Sequence, residues 1–147
     1  MPKIVIAYES IYGNTKQVAE TIAEGMKEKN GTIAALIHAR DVDAKMLADY
    51  DVILIGGPNH MGGPTGPIKK IIKQLAKQNL NGKKIGFFDT YQGDQFEKAA
   101  KKMEALLSKK GQGYQLIPAL SIKVGGMKGP IVDGELKNCR QYGAGIA

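Results

Sequence analysis

Three short stretches group side chains and glycines densely enough to do chemistry. The first, "ESIYGNT" (Glu9 to Thr15), joins an apolar run to an amphipathic one and gathers the Ser10 and Thr15 hydroxyls, Gly13 and the amides that open the next helix. Hydroxyls and unpaired N–H groups at the positive end of a helix dipole form a pocket for a phosphate. Plain capping is the competing reading, since Asn14 is a good N-cap and Gln17 completes a variant of the capping box. A cap alone does not need so many donors. The second stretch, "GGPNHMGGPTGP" (Gly56 to Pro67), sets the bulky His60 and Met61 among small residues. Gly62 and Gly63 there admit backbone conformations closed to other residues. The third, "DTYQGD" (Asp89 to Asp94), offers Tyr91 as an aromatic and places Asp94 to cap the helix that follows.

Other chemistries fit poorly. A Walker loop needs a first glycine and a G-K-[ST] order that Gly13-Asn14-Thr15-Lys16 lacks, and Gly13 alone cannot supply G-x-G-x-x-G. A phosphoacceptor receiver would want an aspartate at the end of the third strand, where Gly56 and Gly57 stand. Two histidines and one cysteine make no ligand cluster, so no metal is expected and His60 reads as an ordinary loop histidine. No Ser/His/Asp or Cys/His arrangement emerges, and Cys139 reads as packing or surface. What remains is a phosphate held by hydroxyls and amides, with no lysine or arginine in the loop itself.

The elements that must position these loops are legible in the apolar pattern. "IVIAY" (4–8), "DVILIGG" (51–57) and "KIGFF" (84–88) are nearly continuous apolar, as strands covered on both faces of a parallel sheet are. "TIAALI" (32–37) and "QLIPALSIKV" (115–124) supply two more, and Pro118 sends the last to an edge. Helical spacing appears at Val18, Ile22 and Met26, at Ile68, Ile71, Ile72 and Leu75, and at Phe96, Ala99, Ala100, Met103, Leu106 and Leu107. A shorter helix is expected between Asp43 and Tyr50, and a closing one within "DGELKNCRQYGAGIA", weakened by Gly143 and Gly145. The alternation predicts an α/β three-layer sandwich, residues 1–147 as one domain, with a five-stranded parallel sheet of order 2-1-3-4-5 and helices on both faces. Ligands of such sheets bind at the carboxyl ends of the strands, at the switch point between strands one and three, which is where the three loops fall.

"S-x-Y-G-N-T" after a first strand resembles the phosphate loop of the flavodoxins, [ST]-x-[ST]-G-x-[ST]. Ser10, Gly13 and Thr15 match, while Tyr12 stands where a hydroxyl is commoner and leaves its backbone N–H to serve. The closing segment is similar to the last helix of flavodoxin domains fused to diiron oxidases. The resemblance implies that flavin mononucleotide (FMN) is the ligand, held by Ser10, Ile11, Tyr12, Gly13, Asn14 and Thr15 in the first loop. It implies further contacts from Pro58, Asn59, His60, Met61, Gly62 and Gly63 in the second loop, and from Thr90, Tyr91, Gln92 and Gly93 in the third. Tyr91 is then the residue to stack on the flavin ring, His60 and Met61 cover it, and a peptide at Gly62 reverses on reduction so that its carbonyl accepts the proton gained at flavin N5.

The function implied is a one-electron shuttle cycling FMN between quinone, semiquinone and hydroquinone. An FMN-dependent NAD(P)H or quinone reductase is the alternative, and a basic nucleic-acid-binding domain a distant one, since the aromatic-basic interleaving of single-strand binders is missing. Twenty-one Lys and Arg against 14 Asp and Glu give a net charge of +7, where flavodoxins are typically acidic. That charge suggests acidic redox partner proteins and a less negative hydroquinone potential than is usual in the family, although solvated helix faces explain the lysines equally well. The start "MPKIVIAY" leads straight into a strand and no apolar run reaches membrane-spanning length, so the expectation is a cytoplasmic protein, a monomer or weak dimer, with neither membrane nor nucleic acid as partner.

Overall fold

The computed structural model describes residues 2–146; Met1 and Ala147, the ends of the expected domain, lie outside the described residues. Strands form where the apolar runs fall: β1 Ile4–Tyr8, β2 Ala35–His38, β3 Val52–Pro58, β4 Lys84–Tyr91 and β5 Gln115–Lys123. The helices are α1 Asn14–Asn30, α2 Ala44–Leu47, α3 Gly66–Leu75, α4 Lys98–Ser108 and α5 Glu135–Ile146, with a 3-10 turn at Ala39–Asp41. Neighbouring strands are all parallel and their order is β2-β1-β3-β4-β5, as the alternation predicts. No helix among the described residues is long and apolar enough to cross a membrane.

The continuous apolar runs hide an alternation of period two. Ile4, Ile6, Val52, Leu54 and Phe88 pack with Val18, Ile22, Met26 and Cys139 of α1 and α5. Val5, Ala7, Ile53, Ile55 and Phe87 turn the other way, onto Ile68, Ile72, Met103 and Leu107 of α3 and α4. Each large aliphatic side chain buried this way contributes about 1.5–3 kcal/mol, well above any helix propensity, so the two apolar layers decide where the helices lie. Burial also pushes the Cys139 thiol up to about 12, which keeps it protonated and makes it a packing residue.

Several elements depart from the sequence pattern in their bounds or contacts. β2 begins at Ala35 rather than Thr32, and Leu36 in it is exposed, as suits an edge strand. In β5, Ile117 pairs with Gly86 and Leu120 with Phe88, so Pro118 and Ala119 together oppose Phe87. This is a bulge, and it absorbs the missing N–H of the proline. Phe96 is not part of the buried face of α4: it precedes the helix and is 56% exposed, cut off by Glu97 at φ 59°. Finally, Gly143 does more than weaken α5. It is buried against α1, where an added Cβ would overlap the Ile22 carbonyl oxygen, and Gly25 meets the Arg140 carbonyl in the same way. The two helices approach backbone to backbone, and Arg140 ties them again through Glu24 at 3.1 Å and Glu28 at 3.8 Å.

Candidate functional site

The carboxyl ends of β1, β3 and β4 open on a cavity of about 460 Å³. Its lining includes Ser10, Ile11, Tyr12, Asn14, Thr15, Pro58, Asn59, His60, Met61, Thr90, Tyr91 and Gln92, joined by Gln95, Val124 and Met127. The expected residues missing from that lining are Gly13 and Gly93, which lie between lining residues, and Gly62 and Gly63, which follow Met61, Gly63 lining a neighbouring cavity instead. Thr90 and Tyr91 reach the cavity from the end of β4 itself rather than from a loop. The size suits a cofactor, and the place is the switch point of the sheet.

The N-terminus of α1 is not capped by Asn14, which is its first helical residue; the cap position falls on Gly13, at φ 93°. No reciprocal bond links Asn14 and Gln17, whose amide donates to the Gly13 carbonyl at 3.0 Å as an ordinary helical bond. The capping group is Ser10, whose Oγ accepts from the amides of Gly13 at 3.0 Å and Lys16 at 3.2 Å. Among the described residues, no protein oxygen accepts from the amides of Asn14 and Thr15, the first two of the helix. Below them the buried Thr15 Oγ1 lies 3.3 Å from Thr90 Oγ1, binding the first loop to β4.

The start of α4 differs in kind. Its first amides are consumed by side chains from elsewhere: Glu97 N–H donates to Ser121 Oγ, Ala99 N–H to Asn59 Oδ1 and Ala100 N–H to Asp89 Oδ2, each at 2.9 Å. Asp94 therefore does not cap α4. An anion has no free donors to find there, and the contrast with α1 singles out the first loop. Asn59 also clamps the second loop to β4 by donating to the Thr90 carbonyl at 3.0 Å.

Asp89, fully buried, further accepts a short hydrogen bond from Ser121 Oγ. Burial raises its pKa above the ordinary 3.8, against the pull of those hydrogen bonds. The folded carboxyl thus keeps its proton to higher pH than the unfolded one, and the native state binds more protons in that interval. Its contribution to stability is greatest below the unfolded pKa and declines as pH rises through the folded one. Asp89→Asn keeps an acceptor and a polar partner for Ser121, and should flatten this part of the stability curve. Urea unfolding of both proteins from pH 3.5 to 7, with the pH range chosen around the ordinary carboxylate pKa, checks the sign.

The second loop closes as a tight turn. His60 N–H donates to the Gly63 carbonyl at 2.7 Å and Gly63 N–H to the His60 carbonyl at 3.1 Å. Met61 at φ 53° and Gly62 at φ 76° give it type I′ geometry, costly for a methionine and free for a glycine. Met61 is 92% exposed at the cavity mouth. Gln95 Oε1 is buried there without a hydrogen-bond partner, and it lies 3.0 Å from where a Cβ on Gly62 would sit. Tyr91 is half-buried, edge-on to Phe96 with centroids 5.3 Å apart, and burial raises its phenol pKa.

A fourth loop, which the sequence reading passed over, completes the rim. Met127 Sδ accepts from Tyr12 Oη at 3.6 Å, and Lys128 Nζ stands 5.9 Å over the Tyr12 ring. The first loop carries no cation of its own, but the fold brings one to it. "KVGGMKGP" at the carboxyl end of β5 was the signal, since β5 is the neighbour of β4 in the sheet. Among the described residues no group of His, Cys, Asp and Glu could hold a metal ion.

Fold and site together define a doubly wound α/β domain with a cofactor-sized cavity at its switch point: unpaired amides ready for an anion, an aromatic wall, and an unpartnered buried acceptor in Gln95 for a ligand that brings an N–H. The model of the Flavodoxin domain family matches residues 5–123, and the chain belongs to that family. It is 28% identical over 153 residues to "Probable flavodoxin 1" of Bacillus subtilis (strain 168), covering 99% of this chain and 90% of that protein. Over 88 residues it is 33% identical to a flavodoxin of Clostridium saccharobutylicum, covering 60% of this chain and 55%, about half, of that relative's length. Among solved structures, a flavodoxin from the domain Archaea superposes with TM-score 0.82 at 28% identity, covering 99% of this chain and 96% of that one.

Proposed function

We propose that this chain, acting as one domain, is an electron carrier that holds FMN in the cavity at the switch point and exchanges electrons with partner proteins. FMN, when bound, supplies the redox chemistry; the chain's residues bind it, orient it and limit water around it. The observation that carries the reading is the state of the Ser10 hydroxyl. The amides of Gly13 and Lys16 occupy both of its lone pairs, so its proton is left to donate to an acceptor from outside the protein. A phosphate is such an acceptor, and the free amides of Asn14 and Thr15 beside it point to the same guest.

In this reading Ser10, Ile11, Tyr12, Gly13, Asn14 and Thr15 hold the phosphate, with Tyr12 contributing its backbone, because its hydroxyl is spent on Met127. Thr90 closes the floor through Thr15. Pro58, Asn59, His60 and Met61 wall one side of the planar ring, and Tyr91, Gln92 and Gly93 the other. Gly62 and Gly63, which bring no side chain of their own, would let the turn reorient so that the Gly62 carbonyl could accept a hydrogen bond from the N–H that FMN would gain on reduction.

The purified full-length chain should be yellow and release stoichiometric FMN on denaturation. It should oxidise NAD(P)H in the presence of a quinone no faster than free FMN does. A colourless protein that takes up no added FMN overturns the proposal, and rapid turnover by the protein alone replaces it with the reductase reading.

A further inference from the structure

Beside the FMN cavity, and sharing His60 and Met61 with it, a second cavity of about 500 Å³ runs into the seam between α3 and α4. Its floor is apolar, from Ala105 and Leu106, and its edges carry Lys69, Lys102 and Lys109. The seam continues past Leu106 and Lys109 into a further depression of about 320 Å³ edged by Lys73, Lys77 and Lys110. Lys69, Lys73 and Lys77 lie four apart on α3 and just beyond it, a row roughly 12 Å long at 1.5 Å per residue.

None of these lysines has a carboxylate partner within salt-bridge reach among the described residues, and no acidic residue lines either depression. Like charges repeated at this spacing repel one another, so the isolated chain gains nothing from such rows. Solvation accounts for the lysines as exposed charges; what it leaves without a role is the apolar trough between them, which ends at the cavity of the switch point. Lys102 anchors that end: its Nζ lies 3.7 Å from where a Cβ on Gly63 would sit, so the ammonium stands against the turn. The exposed Met61 at the junction gives the trough an adaptable apolar contact next to the cavity.

We infer that the α3–α4 groove is the docking surface for an acidic redox partner, a protein that presents carboxylates on both sides of an apolar ridge. The lysine rows steer and register that partner, the Leu106 floor takes the ridge, and Met61 meets the partner where the two cavities join. The apolar floor favours a protein over a nucleic acid, whose phosphates would use the lysines and leave the trough empty. A second copy of this chain, itself at +7, is repelled. The inference rests on the electron-carrier reading and names the side from which the carrier is approached.

The test uses the full chain loaded with FMN and a synthetic amphipathic peptide bearing glutamates on both sides of a leucine stripe, followed by amide chemical shifts. Binding should perturb α3, α4 and residues 60–63, weaken with added salt, and weaken roughly tenfold or more in the variant K69E/K102E/K109E. The neutral set K69Q/K102Q/K109Q should give a smaller loss, and K27E/K29E at the far end of α1 none. The same peptide with lysine for glutamate should not bind. Shifts centred elsewhere, equal losses in both charge-reversal variants, a single-stranded DNA that displaces the peptide from the groove, or shifts that depend on protein concentration alone would each overturn the inference. No electron transfer enters the readout, so its failure leaves the carrier reading standing, and loss of FMN from the wild-type chain would show separately in the flavin spectrum.

Discussion

Gly143→Ala should lower the melting temperature of the FMN-free protein by about 4–12 °C, corresponding to about 2–3 kcal/mol at the usual 2–4 °C per kcal/mol for a domain of this size. Helix propensity alone predicts the opposite sign, since alanine in a helix interior is worth about 1 kcal/mol over glycine. What reverses it is the neighbour. A Cβ on Gly143 would overlap the Ile22 carbonyl oxygen, a backbone atom committed to the hydrogen-bond ladder of α1 that cannot rotate aside. Relief requires α1 and α5 to move apart, which loosens Val18, Ile22, Met26 and Cys139 together. Gly145→Ala is the matched control. It lies on the same helix with nothing within 4 Å of the added carbon, and should stabilise by up to about 1 kcal/mol. Thermal unfolding of the two variants with opposite signs would establish the close approach; equal shifts would refute it.

The same glycine shows why part of this structure was legible in the sequence and part was not. Hydrophobic periodicity located all five strands, because burial on two faces leaves a mark at every residue of β1, β3 and β4. It could not tell that Gly143 is a contact point, because a glycine that lets two backbones meet looks in sequence like one that merely weakens a helix. Helix caps are hard to read from sequence for a related reason. Asn14 and Asp94 have the right type at the right spacing, but the groups that satisfy the helix starts come from elsewhere: Ser10 for α1, and Ser121, Asn59 and Asp89 for α4. Phe96 satisfied the helical spacing and still fell outside α4, because Glu97 at positive φ breaks the helix there. The loop with Met127 and Lys128 leaves its mark in the sequence too, since ligands gather at the carboxyl ends of strands and β5 ends there as much as its neighbours do.

Ser10→Ala should weaken FMN binding by roughly 10- to 150-fold, the equivalent of about 1.5–3 kcal/mol for one hydrogen bond to a charged group. Ser10 does two jobs in the structure, and the substitution removes both. Losing the acceptor for the Gly13 and Lys16 amides costs the helix its cap, about 1 kcal/mol, and should lower the melting temperature of the ligand-free protein by about 2–4 °C. Losing the outward proton costs only the anion. Ser10→Thr retains both functions and should restore most of each. The two losses separate when riboflavin, which has no phosphate, is titrated beside FMN by quenching of flavin fluorescence. If the hydroxyl donates to the phosphate, Ser10→Ala weakens FMN more than riboflavin and narrows its advantage. If Ser10 is only a cap, both flavins weaken alike, by no more than the loosened loop dictates. A double substitution with Thr15→Ala should go further but fall short of the sum, because the two hydroxyls sit in one loop around one anion and Thr15 is shared with Thr90.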